Sequence, residues 1–377
     1  MDFYIYQRKD WPNFTWDNDH LVFLLGKVRN MQGNLVGRME SLGVALKNEA
    51  NLETLTLDVL KSTEIEGEFF NPEQVRSSIA RKLGIENAEF VKTPRNIEGI
   101  VDVILDATQN FEQPLTKERL LGWHNSLFQT GYSGYQKIDV AQYRSGGMKV
   151  ISGNFGREKI HFEAPAAERV PNEMEQFLDW LNHKNSLDLV LKSMIAHFWF
   201  VTIHPFDDGN GRIARAILDM FLAKSDNSKI RFYSLSNQIF KEHKRYNDII
   251  EKTQKGTQDI TLYLEWFLGC FERALSASEQ NLETILDKAH FWDKHKSTNI
   301  NDRQRLVINY LYDNYDKETG FLRTSTYAKL TQCSTDTALR DLQDLVSKEM
   351  LRAEDSGKKT NYIIVSPKGI RIPKIST

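Results

Sequence analysis

The amino-acid sequence predicts a mainly α-helical protein with one β-hairpin near its middle and a short helix-and-strand segment at its end. Three observations predict this class. Apolar residues recur at three- and four-residue steps through most of the first 295 positions, as they do on amphipathic helices. The helical pattern breaks at 131–164, which is rich in glycine and contains two short β-like runs. After residue 300, three helical patterns precede two more β-like runs.

The helical segments follow one another in a regular order. Residues 17–49 are predicted to form one long amphipathic helix or a helix pair. A further helix is predicted to start at the cap residue Asn51 and to stop at Gly67. The sequence NPEQ at 71–74 has the signature of another helix start. Later helices are predicted at 96–109, 116–129, 166–183, 187–202, 210–224, 237–252 and 258–295.

Two regions contain the predicted strands. The runs MKVI and KIHF flank SGNFGRE within 148–162 and are typical of a β-hairpin. In the last region, helices near 302–315, 325–331 and 334–350 come before a second hairpin, which is the pattern of a winged helix. The predicted domains are an N-terminal helical domain at 1–95, a helical core at 96–295 and a winged-helix-like domain at 300–377.

Composition and charge exclude several classes of protein. The 377 residues are 40% hydrophobic and 27% charged, which is typical of a folded chain. Lys plus Arg number 49 and Asp plus Glu 51, so no global basic field attracts nucleic acid or acidic lipid. The two cysteines have no CxxC spacing, which argues against a disulfide framework and favours the reducing cytoplasm. No secretory signal and no membrane span are predicted.

The segment HPFDDGNGRIAR at 204–215 combines a histidine, two acids, two glycines, an amide and two arginines within twelve positions. Pro205 biases His204 out of helical geometry, which predicts that His204 lies at the end of a helix. Gly209 and Gly211 allow sharp turns and close approach of a ligand. The next helix begins there, and its unpaired first amides favour an anion.

The charged residues of this segment extend the same interpretation. Arg212 and Arg215 lie three positions apart beside the helix start, so they favour a phosphate group. Asp208 would repel an anion unless Mg²⁺, held by one carboxylate and the substrate phosphates, lay between them. A nucleotide-phosphate site with a titratable base is therefore predicted. An ordinary helix–helix corner, capped by Asp207 or Asp208, explains each residue singly but not the whole set.

The same twelve residues resemble the signature of the Fic (filamentation induced by cAMP) family, HPFx(D/E)GNGRxxR, at every specified position. The resemblance implies a Fic-fold helical core that transfers AMP from ATP to a hydroxyl of a target protein. It implies that His204 is the general base, that Asp208 holds Mg²⁺ and that the hairpin is a flap that aligns the target by strand addition. The implied phosphate-binding residues are Gly209, Asn210 and Gly211, through backbone amides, and Arg212 and Arg215, through guanidinium groups.

Four further positions acquire expectations from the resemblance or from their setting. The kinase-like Doc branch of the family carries Lys at the position of Gly211, so glycine there favours nucleotidyl transfer over phosphorylation. Tyr246 lies where family members often carry aromatic residues, which implies that it stacks on adenine; the second such position holds asparagine. His197 is predicted to be a satisfied core histidine, and His161 is predicted to be a flap or surface histidine.

The segment STEIEG at 62–67 places a carboxylate in an unfavourable position. Ser62 and Glu66 share one helix face, and Glu66 faces the negative end of the helix dipole, where a partner cation would compensate. The segment resembles the (Ser/Thr)xxxGlu(Gly/Asn) motif that marks an inhibitory helix in many Fic proteins. The resemblance implies an inhibitory helix at about 52–66, with Glu66 paired to Arg215 in the place of the γ-phosphate.

Several alternatives stay open at this point. Within the enzyme class they are transfer of another nucleotide or of phosphocholine, removal of AMP from a modified protein, and modification of the enzyme itself. The rival class is a DNA-binding regulator that uses the Fic core as a nucleotide sensor. Its presumed recognition helix carries Arg340 and Lys348 against four acids, so protein docking is favoured over nucleic acid. The acids are Asp336, Asp341, Asp344 and Glu349. A homodimer is expected from relatives.

Overall fold

The computed structural model describes residues 4–85, 91–152, 159–184, 186–313, 321–356, 359–366 and 369–370. The chain divides into two compact units, residues 1–278 and 279–377. The predicted separation of 1–95 from the helical core has no counterpart in this division and stays a prediction. Among the described residues, every helix is too polar or too short to cross a lipid bilayer.

The mainly α-helical class is confirmed. Eleven α-helices begin within the described residues of the first unit. They are α1 (Asn18–Glu40), α2 (Val44–Ile65), α3 (Pro72–Lys82), α4 (Arg95–Gln109), α5 (Lys117–Leu127), α6 (Val170–Asn182), α7 (Leu189–Ile203), α8 (Asn210–Asp226), α9 (Leu235–Lys241), α10 (His243–Gln254) and α11 (Thr261–Lys294). The single helix predicted at 237–252 is therefore two helices, α9 and α10.

Helices α7 and α8 form the centre of the first unit and pack against each other. Every residue of α7 from Val190 to Ile203 is buried, as expected for a helix that is apolar on all sides. Helix α8 buries Ile213, Ala214 and Ile217 in the same core. The loop between these helices is consequently held at both ends by the best-packed elements of the unit.

The division between α1 and α2 differs from the prediction. Helix α1 ends at Glu40 and α2 begins at Val44, so Asn51 lies inside α2 rather than at its start. Asn51 is 6% exposed, and its Oδ1 accepts the backbone N–H of Arg231 at 2.8 Å. A capping asparagine and a buried one look alike in sequence, which explains the error. The predicted helix start at Asn71 is confirmed, because its side chain accepts two backbone N–H groups of α3.

The predicted central hairpin is confirmed. The first unit contains the two-residue strands β1 (Tyr132–Ser133) and β2 (Gln136–Lys137), and the hairpin strands β3 (Lys149–Ser152) and β4 (Lys159–Glu163). Strands β3 and β4 pair antiparallel, with Val150 opposite Phe162, and with a register irregularity between Val150 and Ile151. Residues 153–158, where the turn was predicted, lie outside the described residues.

The second unit has the element order that was predicted for a winged helix. Its elements are α12 (Asp302–Asp313), α13 (Thr324–Thr331), α14 (Thr335–Ser347) and a sheet of β5 (Leu351–Ser356), β6 (Lys359–Ser366) and β7 (Gly369–Ile370). Asp341 was predicted to be one of the acids on the surface of α14. It is instead 9% exposed and accepts hydrogen bonds from Arg303 and from the hydroxyl of Tyr327.

Candidate active site

His204 ends α7 in a left-handed backbone conformation, with φ of 51°. This conformation is uncommon outside glycine and turns the chain sharply at the end of the helix. The ring Nδ1 lies 3.2 Å from the carbonyl oxygen of Val201. Because a carbonyl oxygen only accepts, Nδ1 carries the proton of the neutral ring. The lone pair on Nε2 is thereby left available, which is the tautomer that a general base requires.

The electrostatic surroundings of His204 favour the neutral ring. Burial lowers the pKa of His204 below its ordinary value of 6.5, and the guanidinium of Arg144 lowers it further. The hydrogen bond to Val201 and the carboxylates of Glu66 and Asp208 oppose this effect without reversing it. The imidazole is therefore unprotonated at neutral pH and can accept a proton.

The backbone around His204 is held by Arg144, which no sequence pattern marks. Arg144 is 3% exposed, and its Nε donates to the carbonyl oxygen of His204 at 2.8 Å. Its Nη1 and Nη2 donate to the carbonyl oxygens of Gly146 and Pro165 at 2.8 and 2.5 Å. Its own backbone N–H donates to Pro205 at 2.9 Å. Arg144 lies 60 positions before His204 in a segment without periodicity, so only the fold brings the two together.

A second positioning residue, His124 of α5, holds the loop that follows His204. His124 Nδ1 accepts the backbone N–H of Ala141 at 3.1 Å, so Nε2 donates to the carbonyl oxygen of Asp208 at 3.2 Å. The ring stacks on Phe206, with ring centroids 4.2 Å apart. Burial lowers the pKa of His124 to about 4, so this ring is also neutral at pH 7. The spacing of α5 predicts a helix but gives no sign of these contacts.

Replacing His124 by alanine is expected to destabilise the protein by about 2–4 kcal/mol, because the stacking contact and two hydrogen bonds are lost. The free energy of unfolding, measured in urea, checks this value. The difference from wild type should shrink as pH falls from 6.5 towards 4, because the unfolded chain then binds a proton that buried His124 does not. His290→Ala, at an exposed position of α11, is the control. Equal losses in the two variants would contradict a positioning role.

Asn210 and Gly209 give the loop its shape. The side chain of Asn210 accepts the backbone N–H of Phe206 at 3.0 Å and donates to the carbonyl oxygen of Phe206 at 2.8 Å, which closes the loop. Gly209 has φ of 82°, and a Cβ there would come within 2.8 Å of the Phe128 ring. The Gly209 N–H already donates to Asp208 Oδ1 at 2.6 Å. Among the described residues, the N–H groups of Asn210 and Gly211 have no such partner, so these two amides are the ones available to an anion.

Asp208, the predicted Mg²⁺ ligand, lies at the edge of this loop with its side chain 41% exposed. Its carboxylate accepts the Gly209 N–H and the hydroxyl of Ser133, and lies 3.7 Å from Arg212 Nη2. Within the described part of the chain, no group of three or more His, Cys, Asp or Glu side chains is arranged to hold a metal ion. A single exposed carboxylate nevertheless suits Mg²⁺, which takes its remaining ligands from water and substrate phosphates.

The structure brings Ser62 and Glu66 of the α2 end to Arg215 of α8. Arg215 is 1% exposed, and its Nη2 lies 2.8 Å from Glu66 Oε1. Its Nε donates to Ser62 Oγ at 2.9 Å and its Nη2 to the carbonyl oxygen of Ser62 at 2.7 Å. Burial opposes the charged form, but Glu66 raises the pKa of Arg215. The implied pairing partners are therefore in direct contact, and a fully charged guanidinium lies beneath the carboxylate.

The carboxylate of Glu66 occupies the position above the first turn of α8. A Cβ built on Gly211 would meet Glu66 Oε1 at 2.1 Å, so the carboxylate rests directly on the backbone of this glycine. A helix N-terminus favours an anion at this position. Arg215 Nη1 and Arg212 Nε are buried and have no hydrogen-bond partner among the described residues. Unused donors around an anion position fit a ligand that carries more acceptor atoms than one carboxylate, such as a polyphosphate.

One cavity of about 410 Å³ joins half of the predicted site residues. Glu66, His204, Gly211, Arg215 and Tyr246 line it, together with residues of the hairpin strands β3 and β4. Asp208, Gly209 and Asn210 do not line this cavity. Arg212 lines a neighbouring cavity of about 450 Å³ with Glu68, Ser133 and other residues. The cavity that holds the base is thus bounded by the anion position and by the hairpin.

Tyr246 lies in the wall of the cavity and is 5% exposed. The hydroxyl of Tyr263 donates to the carbonyl oxygen of Met194, so it accepts from His197 Nδ1 at 3.0 Å. His197 Nε2 then accepts from the hydroxyl of Tyr246 at 2.9 Å. The prediction of a satisfied core histidine is confirmed for His197, whose pKa burial lowers to about 3. Stacking of Tyr246 on adenine stays a prediction, because little of the ring faces the cavity.

His161 links the hairpin to α10. Its Nδ1 lies 2.5 Å from Glu251 Oε2, and its Nε2 lies 2.5 Å from Ser152 Oγ. His161 lies on the hairpin as predicted, and it is more constrained than a surface histidine would be. The link holds the end of β3 and the middle of β4 against the helix that carries Tyr246.

Fold and site together define a helical protein in which one cavity joins a histidine and a buried arginine to a helix N-terminus. Comparison with known families agrees: residues 114–222 match the Fic/DOC family, and residues 4–85 match a domain of unknown function, DUF4172. The chain therefore carries a Fic/DOC domain, and the resemblance that the signature suggested is confirmed. The matched region extends from the start of α5 into α8 and includes the whole of 204–215.

A solved structure shares the fold of this chain, and curated relatives match parts of its sequence. A Fic family protein from Desulfovibrio desulfuricans has the same fold, with a TM-score of 0.53, 21% identity, and coverage of 96% of this chain and 99% of that chain. A probable protein adenylyltransferase of Aquifex aeolicus is 28% identical over 148 residues, which are 38% of this chain and 39% of the relative. Protein adenylyltransferase Fic of Culex quinquefasciatus is 31% identical over 245 residues, 63% of this chain and 44% of the relative. The chain spans less than half the length of these two relatives.

Proposed function

We propose that the protein is an adenylyltransferase that moves AMP from ATP to a hydroxyl group of a target protein. The observation that carries this proposal is the cavity in which a neutral His204 with a free Nε2 faces a helix N-terminus and the buried guanidinium of Arg215. The names of the relatives, which are protein adenylyltransferases, support the same reaction class. Glycine at 211 leaves the first turn of α8 open to a phosphate.

The reaction needs one proton acceptor and several hydrogen-bond donors that bind the phosphate groups. His204 Nε2 would take the proton of a Ser, Thr or Tyr hydroxyl, and the oxygen would attack the α-phosphorus of ATP. A bond from this oxygen to the α-phosphorus forms, the bond to the bridging oxygen of the β-phosphate breaks, and pyrophosphate leaves. The free amides of Asn210 and Gly211 would stabilise the charge on the α-phosphate oxygens. Arg212 and Arg215 would bind the outer phosphates and balance the leaving group.

Asp208 is the protein residue that would bind Mg²⁺ in the proposed reaction. This carboxylate would hold the ion against the phosphates, and the ion would neutralise charge that builds up as pyrophosphate departs. In the structure the carboxylate is engaged by the Gly209 N–H, the Ser133 hydroxyl and the Arg212 guanidinium. These contacts hold Asp208 at the edge of the loop, beside the arginine that is assigned to the outer phosphates.

The hairpin is proposed to bind the target. Val150, Ile151 and Ile160 are apolar and 38–54% exposed on β3 and β4, next to the cavity. An extended target peptide could pair with a strand edge and place its hydroxyl side chain over the cavity. We assign this reaction to the cytoplasm, where ATP is available and where the two free cysteines would stay reduced. A homodimer stays an expectation.

The pH dependence of the reaction follows from the lowered pKa of His204. In the Glu66→Gly protein, kcat/KM for AMP transfer should fall as pH drops through a pKa below 6.5, because protonation removes the base. The carboxylate of Glu66 raises the pKa of His204, so its removal lowers that pKa and should move the acid limb to lower pH. Initial rates at saturating target and limiting ATP give the profile. An acid limb above pH 6.5 would show that another group is titrated.

Labelling with two forms of ATP tests the proposed function. A cell lysate is incubated with the Glu66→Gly protein and ATP labelled in either the α- or the γ-phosphate. AMP transfer should incorporate only the α-label, and mass spectrometry should locate AMP on Ser, Thr or Tyr residues. Incorporation of the γ-label would instead indicate phosphorylation. Incorporation of neither label would argue against transfer, and release of AMP from already modified proteins would favour the reverse reaction.

A further inference from the structure

We propose that Glu68 is a second inhibitory carboxylate, which blocks Arg212 as Glu66 blocks Arg215. The inference rests on the proposed function, in which both arginines bind phosphate groups of ATP. Arg212 Nη1 lies 3.0 Å from Glu68 Oε1, and Arg215 Nη2 lies 2.8 Å from Glu66 Oε1. One short segment of the chain therefore pairs with both arginines that would bind the phosphate groups of ATP.

The end of α2 fixes both carboxylates in these positions. Helix α2 ends at Ile65, and Gly67 follows in a left-handed conformation with φ of 81°. The Gly67 N–H donates to the carbonyl oxygen of Glu64, and the Glu68 N–H donates to that of Thr63, each at 3.0 Å. This pair of bonds is the Schellman arrangement that closes a helix C-terminus. The glycine turn is therefore rigid, and it aims the residues on its two sides at two different guanidinium groups.

Arg212 depends on Glu68 more than on any other acid in the described residues. Its side chain is 4% exposed, and its second carboxylate neighbour, Asp208, is 3.7 Å away. Its guanidinium lies 5.0 Å from the ring centroid of Phe128, and its Nε has no hydrogen-bond partner in the described part of the chain. A buried guanidinium with one close carboxylate gains a large part of its stabilisation from that partner. A phosphate group can bind Arg212 only by displacing Glu68 or by sharing the guanidinium with it.

The two carboxylates act on different cavities. Glu66 lines the cavity of His204 and Arg215, whereas Glu68 lines the neighbouring cavity with Arg212. Removal of Glu66 alone would free the first arginine and leave the second one paired. The Glu66→Gly protein should consequently be only partly released, and full affinity for the outer phosphates should require loss of both carboxylates.

Binding of ATP to four proteins tests the inference. The dissociation constant of ATP with Mg²⁺ is measured by calorimetry for wild type, Glu68→Gln, Glu66→Gly and the double variant. In the Glu66→Gly background, Glu68→Gln should lower Kd by about three- to tenfold, the upper value corresponding to about 1.4 kcal/mol. Glutamine keeps the size of the side chain and removes its charge. Glu73→Gln, at an exposed carboxylate in the first turn of α3, is the matched control and should leave Kd unchanged.

The outcomes separate this inference from the proposed function. If Glu66→Gly binds ATP and incorporates the α-label, but the double variant has the same Kd, the role of Glu68 is disproved and the proposed function stands. A weaker affinity in the double variant would show that Glu68 supports the site rather than blocks it, which also overturns the inference. If Glu66→Gly neither binds ATP nor transfers AMP, the proposed function fails and the inference fails with it. Thermal melting of each variant verifies that it is folded.

Discussion

Replacing His204 by alanine in the Glu66→Gly protein is expected to lower the rate of AMP incorporation by about 10²- to 10⁴-fold, the range that a positioned general base contributes. The physical reason is the geometry of the ring. Nδ1 donates to the carbonyl oxygen of Val201 and leaves Nε2 as the acceptor. The measurement is the initial rate of α-label incorporation into the target proteins found in lysate.

Two controls make this result specific to the proton acceptor. The Kd for ATP should change by less than about threefold, since no cationic or amide group is removed. His290→Ala, on the exposed side of α11, should keep the full rate. A His204→Ala protein that binds ATP and still transfers AMP at the parental rate would remove His204 from the reaction.

Replacing Glu66 by glycine is expected to raise both ATP affinity and the rate of AMP transfer. The carboxylate is 2.8 Å from Arg215 and lies against Gly211, so in the proposed reaction it would compete with a phosphate group of ATP. Close charge pairs at interfaces couple by about 1.5–7 kcal/mol. Because Glu66 is 34% exposed, the lower part of that range applies. A gain of about 10- to 1,000-fold in kcat/KM follows.

The same substitution should also change stability in a way that ATP reverses. Without Glu66, the buried guanidinium of Arg215 keeps its bonds to Ser62 and its interaction with Tyr246 but loses its carboxylate, and the free energy of unfolding should fall by about 1–3 kcal/mol. ATP with Mg²⁺ should then raise Tm more in Glu66→Gly than in wild type. Glu66→Asp, which keeps the charge on a shorter side chain, is the control. Equal rates in wild type and Glu66→Gly would show that this carboxylate does not inhibit.

The parts of the site that could be predicted are those contained in contiguous sequence. The segment 204–215 marks its own helix boundaries, because Pro205 follows the end of one helix and the glycines begin the next. The shared helix face of Ser62 and Glu66 could be predicted for a similar reason, since the two residues are one helical turn apart, whereas their contact with Arg215 is implied only by the family resemblance. The helix end predicted near residue 202 differs from the observed end at Ile203 by one position.

The remaining parts depend on contacts between distant segments. Arg144 and His124 shape the loop through backbone carbonyl groups, and bonds of this kind leave no pattern in the side chains. Glu68 has no distinguishing feature in the sequence, and its contact with Arg212 of α8 depends on the left-handed turn at Gly67. The prediction that Asp341 lies on the surface is wrong for the same reason, because Arg303 and Tyr327 from other helices bind and bury its carboxylate.

Arg144 has a consequence for the choice of target. Its guanidinium joins the carbonyl oxygen of His204 to those of Gly146 and Pro165, the residues that lead into β3 and out of β4. The bonds of Arg144 therefore fix the distance between His204 and the two ends of the hairpin. The backbone of a peptide paired to a strand edge would lie at a fixed distance from the imidazole. Only a side chain of the corresponding length would place its hydroxyl oxygen next to the ring. Serine and tyrosine differ in reach by several bonds, so the enzyme should prefer one of these lengths.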